Sequence, residues 1–165
     1  MTTPKAYLIT FRTYGTWLHG DPRGSVDRKH AGHGLPMRGT NAALEAAERG
    51  ALQHPPFVLD ARQRDLVARA IEETCSFRGW ALHAITVRIE HVHVVIGAER
   101  EPPERVLGAM KSWSTRRLVE AGVQQRGTHT WSRHGSTRYL WTDAQLERAI
   151  RYVREGQGGA LPVAP

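Results

Sequence analysis

The stretch Thr86-Val-Arg-Ile-Glu-His-Val-His-Val-Val-Ile-Gly97 decides the fold, because its many β-branched residues predict a strand. Side chains alternate between the two faces of a strand, so residues two apart point the same way. His91 and His93 therefore share one face, and Val92, Val94 and Ile96 share the other. One face can pack on a core while the other offers two imidazoles to one cation. Two solvent-facing histidines on a half-exposed sheet are the alternative.

The segments around this strand predict an antiparallel sheet with helices between its strands. Asp60 is a plausible N-cap, Pro102 and Pro103 open another helix, and Gly79 and Gly156 each end one. Adjacent strands separated by helices favour an α+β fold, in which the helices pack mainly on one face of the sheet. The predicted strands span 6–14, 80–87, 90–97 and 131–141, and the long helices span 60–77, 104–121 and 144–155.

The length of 165 residues fits one domain over 1–165. A long loop insertion covers about 15–56, rich in glycine and proline, with a short helix expected over 41–50. The tail over 158–165 is expected to be frayed.

Cysteine use and hydropathy indicate a cytoplasmic protein. Cys75 is the single cysteine, which excludes a disulfide framework and a thiolate zinc cage. The N-terminal residues lack a basic start followed by an apolar signal core, and no segment is apolar for long enough to span a membrane.

The formal net charge of +7 and the sequence pI of about 10.3 favour a polyanionic partner, most simply nucleic acid. Arginine pairs with phosphate and stacks on bases, and tryptophan offers a stacking surface. Each candidate also has an alternative role in the core or as solvated surface. The candidate nucleic-acid contacts are Arg12, Trp17, Arg23, Lys111, Trp113, Arg116 and Arg138.

Tyr152 is a second candidate for chemistry, on the last predicted helix. It lies roughly 110° from the centre of the buried stripe of that helix, at the border between core and solvent. A phenol among arginines can serve as a nucleophile towards a phosphodiester. A tyrosine that packs its ring on the sheet is the alternative. The stripe consists of Leu146, Ala149, Ile150 and Val153, and the neighbouring arginines are Arg148, Arg151 and Arg154.

A His-hydrophobic-His strand, combined with a tyrosine on a C-terminal helix of a small basic α+β protein, resembles the single-tyrosine HUH transposase family. That family includes the REP-associated tyrosine transposases and small insertion-sequence transposases. The resemblance covers most of the chain. It rests on Tyr7–Tyr14, Trp80-Ala-Leu-His83, His91-Val-His93, Val106–Leu118, Trp131–Trp141 and Ile150-Arg-Tyr152-Val.

The resemblance implies a ferredoxin-like HUH endonuclease core that cuts and rejoins single-stranded DNA carrying a hairpin, acting as a homodimer. Tyr152 would attack the scissile phosphate and form a 5′-phosphotyrosine link. His91 and His93 would hold Mg²⁺ or Mn²⁺. The family usually supplies a third ligand as Gln or Asn four residues after the tyrosine, where this chain has Gly156. Gln157 is the expected substitute, with Glu155 or Glu90 as alternatives.

Two other functions compete with this interpretation. A histidine-triad nucleotide hydrolase would need a third histidine two residues further on, where this chain has Val95. A non-catalytic nucleic-acid-binding domain would keep the charge and the sheet, but it would have no use for a tyrosine beside two histidines.

Overall fold

The computed structural model describes residues 3–19 and 40–156, which contain four strands and four helices. Each predicted element is present in this part of the chain, with ends that differ from the prediction by at most one residue. The elements are β1 (Ala6–Thr13), α1 (Ala42–Gly50), α2 (Ala61–Arg78), β2 (Ala81–Val87), β3 (His91–Gly97), α3 (Pro103–Glu120), β4 (Trp131–Leu140) and α4 (Asp143–Glu155).

The four strands form one antiparallel sheet in the order β2-β3-β1-β4. Without α1 and the C-terminal α4, the order along the chain is β-α-β-β-α-β, the ferredoxin-like arrangement. This confirms the predicted α+β fold. In the register, Tyr7 of β1 pairs with Ile96 on one side and with Tyr139 on the other. The strand with the two histidines therefore lies inside the sheet, between β2 and β1.

Local capping explains where the long helices begin and end. The Asp60 side chain accepts a hydrogen bond from the Gln63 backbone, and the Gln63 side chain accepts one from the Asp60 backbone. Gly79 ends α2 with a φ of 69°, a left-handed conformation that glycine adopts easily. Thr142 and Gln145 form the same reciprocal cap at the start of α4.

Helices cover both faces of the sheet, and this determines where the polar groups lie. Helices α2 and α3 pack on the face formed by Ile9, Phe11 and Val94, as the prediction of helices mainly on one face requires. Helix α4 packs on the opposite face, called here the α4 face, where Val153 meets Val95. Because β3 is covered on both sides, it is almost continuously buried.

The long connection after β1 is described only in part. Residues 20–39, including Arg23, lie outside the described residues, as do Gln157 and the tail over 158–165. The short helix predicted inside the connection is α1, capped by Asn41, whose side chain accepts from the Leu44 backbone. None of the helices in the described ranges is long and apolar enough to cross a membrane.

Phe11→Ala is expected to lower the free energy of unfolding by about 3–5 kcal/mol, because it empties a fully buried site. The Phe11 ring lies edge-on to Trp131, with the ring centroids 4.9 Å apart. Phe77→Ala is the matched control, because the Phe77 side chain is 88% exposed and its loss should change stability little. Urea unfolding of the two variants measures the difference, and equal midpoints would contradict the assigned core.

Candidate functional site

Strand β3 places the two predicted histidines side by side on the α4 face. The ring centroids of His91 and His93 are 4.8 Å apart, and the ring planes are inclined by 78°. His93 is 6% exposed, whereas His91 is half-buried. Two imidazoles this close, on adjacent same-face positions of a rigid strand, suit the capture of one cation between them.

Burial keeps His93 uncharged at neutral pH. Loss of hydration lowers the pKa of His93 to about 4, and the positive charges of His91 and Arg88 act in the same direction. A neutral imidazole retains a nitrogen lone pair, which is the form that binds a metal ion. His93 is therefore ready to act as a ligand without first losing a proton.

Thr10, which no pattern in the sequence singles out, orients the His93 ring. The Thr10 hydroxyl and His93 Nδ1 are 2.8 Å apart, joined by a hydrogen bond across the paired strands. When Nδ1 carries the proton and donates to Thr10, the lone pair of Nε2 is left for a cation. Only the register that pairs Thr10 with His93 could have identified this residue.

Helix α4 brings Tyr152 to the histidine pair. The Tyr152 ring lies edge-on to His93, with centroids 5.6 Å apart and planes inclined by 83°. The Tyr152 side chain is 46% exposed, so solvent and a large substrate can reach it. The position at the border between core and solvent agrees with the helical spacing in the sequence.

Two hydrogen bonds fasten the last turn of α4 to β2. The Thr86 hydroxyl donates to the Val153 carbonyl at 2.6 Å, and the Arg154 guanidinium donates to the His83 carbonyl at 3.1 Å. Thr86 also pairs with His93 in the sheet register. The turn that carries Tyr152 is thus tied directly to the strand beside the histidines, a link that sequence reasoning missed.

Comparison with known proteins decides the family. The sequence profile of the family described as "Transposase IS200 like" matches residues 56–155, which is more than half of the chain and includes β3 and α4. The chain belongs to the IS200-like transposase family. No curated protein is significantly similar to this IS200-like chain.

Two solved structures are similar to this chain. One is described as a REP-associated tyrosine transposase bound to a REP hairpin, at 12% identity and a TM-score of 0.51. The match covers 92% of the IS200-like chain and 65% of the other, so this chain spans less than two thirds of that protein. A putative transposase from Deinococcus radiodurans R1 is similar at 16% identity and a TM-score of 0.48, with coverage of 97% and 95%. The 12% identity to the REP-associated transposase shows the fold alone.

Gly156 lies one helical turn after Tyr152, and its backbone packs against the carbonyl and the ring of Tyr152. Its N–H donates to the Tyr152 carbonyl at 2.9 Å, closing α4. A Cβ atom at position 156 would come within 2.8 Å of that carbonyl oxygen and 3.0 Å of Tyr152 Cδ2. Glycine therefore leaves room for the Tyr152 ring in its observed position.

The third ligand stays a prediction. Among the described residues, no group of three or more His, Cys, Asp or Glu side chains is arranged to hold a metal ion. Glu155 and Glu90, the alternatives to Gln157, therefore do not complete a three-ligand cluster with the histidine pair. Gln157 itself lies outside the described ranges. The two imidazoles fit a divalent cation as part of its coordination sphere.

Three of the predicted nucleic-acid contacts lie on the α4 face or next to it. Arg12 of β1 is paired with His91 in the register, and its guanidinium donates to the Trp17 carbonyl. The Trp17 ring lies 5.3 Å from that of His91. Arg138 is exposed on β4 and pairs with Leu8, whose side chain packs under α4.

Lys111 lies inside the packing between α3 and β4. Its ammonium donates to the carbonyls of Ser132 and His134, at 2.8 Å and 3.2 Å, and lies over the Phe11 ring. Burial, with the charge of Arg12, lowers the pKa of Lys111 to about 8. These contacts hold the edge strand β4 against α3, so the charged group of Lys111 has a structural role.

Trp113 and Arg116 lie on α3, on the opposite side of the sheet from the histidines. Trp113 Nε1 donates to Glu73 at 3.0 Å, and the guanidinium groups of Arg116 and Arg117 stand 4.9 Å and 5.1 Å from the Trp113 ring centroid. Arg116 also pairs with Glu120 at 2.8 Å. The structure does not bring these two candidates together with Tyr152, so their role in nucleic-acid binding stays a prediction.

Thr10→Val is expected to lower the affinity for Mn²⁺ by about 10- to 100-fold, because the His93 ring loses the partner that selects its tautomer. Thr137→Val on β4 is the matched control, since its hydroxyl contacts Glu104 instead. Titration of the metal-free protein, followed by electron paramagnetic resonance of free Mn²⁺, measures both affinities. Equal affinities of the two variants would remove Thr10 from the site.

Proposed function

We propose that this protein is a single-stranded DNA endonuclease and strand transferase with Tyr152 as its nucleophile, a transposase of the HUH type. The observation that carries the proposal is the contact between a half-exposed Tyr152 ring and the buried ring of His93, at 5.6 Å between centroids. Membership of the IS200-like family supports a transposase activity in general. The fastened end of α4 supports this particular tyrosine, since a nucleophile must be held in a fixed geometry.

The chemistry replaces one phosphate ester by another. Tyr152 Oη attacks the scissile phosphorus, the bond between phosphorus and the 3′ oxygen breaks, and a 5′-phosphotyrosine forms. The phenol loses its proton, and the departing 3′ oxygen gains one to become a free 3′-OH. Because the ester energy is retained, another 3′-OH can attack the phosphotyrosine and reverse the step, which joins a new pair of strands.

The histidine pair would hold the divalent cation that this reaction needs, Mg²⁺ or Mn²⁺, with Gln157 as the proposed third ligand. The cation supplies neutralisation of charge on the phosphoryl oxygens and orientation of the leaving oxygen. The support comes from the donor set. His91 and His93 share one face, and His93 is kept neutral by burial.

The DNA would lie across the open part of the α4 face beside Tyr152. Arg12 and Arg138 stand on this face, and the net charge of +7 attracts the backbone. The structurally similar REP-associated transposase is described as bound to a REP hairpin, which supports a hairpin-bearing strand as the partner here as well. A homodimer would hold two DNA ends for exchange, and sedimentation velocity with and without DNA tests that assembly.

The decisive experiment uses a randomised single-stranded DNA pool, because the recognised sequence is unknown. One half of the pool is labelled at the 3′ end and the other half at the 5′ end, and each is incubated with the protein and Mn²⁺. A 5′-phosphotyrosine link retains the downstream fragment, so only the 3′ label should run with the denatured protein. Transfer of the 5′ label would contradict the proposed polarity. Tight binding without any adduct would favour the non-catalytic nucleic-acid-binding domain.

A further inference from the structure

Arg148 lies one helical turn before Tyr152, on the same flank of α4. Residues four apart in a helix differ by only about 40° around its axis, so their side chains are neighbours on the surface. Both side chains are exposed. Arg151 directly precedes Tyr152 in the sequence, but it lies about 100° around the helix from it. Of these two arginines, Arg148 is therefore the one that shares a flank with the phenol.

The attachment of α4 to the sheet determines which way this flank faces. Arg154 lies about 160° around the helix from Tyr152, on the other flank. Its guanidinium donates to the His83 carbonyl of β2, which is an edge strand. Because β3, β1 and β4 follow β2 in the sheet, the flank with Tyr152 and Arg148 is turned towards β1 and β4. The contact between Tyr152 and His93 of β3 agrees with this direction.

The sheet surface in front of this flank is polar and open. Thr10 of β1 pairs with Ser136 of β4, and the next pair on the same face is Leu8 with Arg138. Leu8 packs under α4, whereas the side chains of Ser136 and Arg138 are exposed. The flank of α4 and these two strands border a groove, called here the basic groove. Arg148 lies on its helix side and Arg138 on its strand side.

Neither arginine is engaged by another group of the described chain. Within residues 3–19 and 40–156, the side chains of Arg148 and Arg138 make no hydrogen bond and no ion pair. Arg116 on α3, by contrast, is neutralised by Glu120 at 2.8 Å. Glu155 is on the same flank as Arg148, but it lies about two turns further along the helix. The basic groove therefore presents uncompensated positive charge beside the phenol.

We propose that the basic groove binds the sugar-phosphate backbone of single-stranded DNA, with Arg148 on the phosphate next to the one that Tyr152 attacks. The inference rests on the proposed function and adds a subsite for the flanking nucleotide. One helical turn advances about 5.4 Å along the axis, which is close to the spacing of successive phosphates in a single strand. A guanidinium pairs with a phosphate through two parallel hydrogen bonds. Arg148 would thus fix the strand along the groove and hold the scissile phosphate at the phenol.

The test counts phosphate contacts without cleavage, in a Tyr152→Phe background with EDTA. Fluorescence anisotropy gives the affinity for labelled oligodeoxythymidine of about 20 nucleotides, between about 50 and 200 mM salt. Each phosphate that a protein neutralises on a single strand contributes about 0.7 to the slope of log affinity against log salt. Arg148→Gln should lower this slope by about 0.7 and weaken binding about tenfold at the low-salt end. Arg148→Lys keeps the charge and should restore the slope.

Arg151→Gln is the matched control, because it removes the same charge from an exposed position of the same helix, outside the basic groove. Its slope should stay near that of the parent, and a circular dichroism melt of each variant establishes that it is folded. The inference is overturned if Arg148→Gln keeps the slope of the parent. It is also overturned if Arg151→Gln lowers the slope equally, which would indicate a general effect of net charge, or if the parent does not bind the strand.

Adduct formation by the unaltered Tyr152 protein separates this inference from the proposed function. With an active nuclease, Arg148→Gln should need about tenfold more DNA for half-maximal adduct. An unchanged requirement would overturn the place of Arg148 beside the scissile phosphate and leave the nuclease intact. A lowered salt slope in Arg148→Gln, with no adduct from the unaltered protein, would keep the basic groove as a DNA-binding site and reject the nuclease.

Discussion

Tyr152→Phe is expected to abolish the covalent protein–DNA adduct and to slow cleavage by at least about a thousandfold. The variant removes only the phenolic oxygen, and the ring that packs on His93 stays. Phenylalanine has no atom that can displace the 3′ oxygen, so the covalent step has no nucleophile. Affinity for single-stranded DNA should be nearly unchanged, since the cationic groups of the α4 face are intact. Gel analysis of 3′-labelled adducts and anisotropy of the same strands measure the two quantities separately.

Tyr139→Phe is the control for this prediction. Its side chain is 42% exposed, close to the 46% of Tyr152, but it lies edge-on to Tyr7 and stacked on Trp141 instead of beside the histidines. It should form the adduct at the normal rate. Adduct formation by Tyr152→Phe would show that another nucleophile acts, and Tyr139 is the first alternative to examine.

The elements that the sequence predicted well are those whose local signals agree with their packing. Alternation around His91 and His93 located β3, and the cap residues Asp60 and Thr142 located the starts of two helices. The spacing in α4 placed Tyr152 at the border of the core, where the structure has it. Local chemistry and tertiary packing point to the same result in these segments, which is why the fold was predictable.

The remaining features depend on pairings between distant segments, which local patterns do not contain. Thr10 meets His93 because of the register of two strands that are far apart in the chain. The sequence predicts Lys111 to be an exposed cationic side chain. In the structure its ammonium donates to two carbonyls of the edge strand β4. The sequence predicts Trp113 to be either a core residue or a stacking surface. In the structure its indole N–H donates a hydrogen bond to Glu73 of the neighbouring helix α2. Each of these positions needs the three-dimensional partner before its role can be assigned.

His91→Ala and His93→Ala are each expected to lower Mn²⁺ affinity by more than about a hundredfold and to stop metal-dependent cleavage. Each removes one of the two imidazoles whose centroids lie 4.8 Å apart, and one ring supplies too few donors to keep the cation. Isothermal titration of the metal-free protein with Mn²⁺ gives the affinity. The same variants should still bind single-stranded DNA, because this binding depends mainly on cationic side chains.

The two variants should differ in stability, and this difference separates a lost ligand from a damaged fold. His93 is 6% exposed and hydrogen-bonded to Thr10, so its truncation leaves a cavity and an unpaired hydroxyl. His91 is half-buried, and its truncation should cost less. If both variants lose Mn²⁺ while only His93→Ala loses stability, the metal effect belongs to the ligands. His129→Ala is the control, since its ring contacts Tyr14 and His54, and it should bind Mn²⁺ normally. Normal Mn²⁺ affinity in both His91→Ala and His93→Ala would exclude this pair as the metal site and would leave Tyr152 without a cation to assist it.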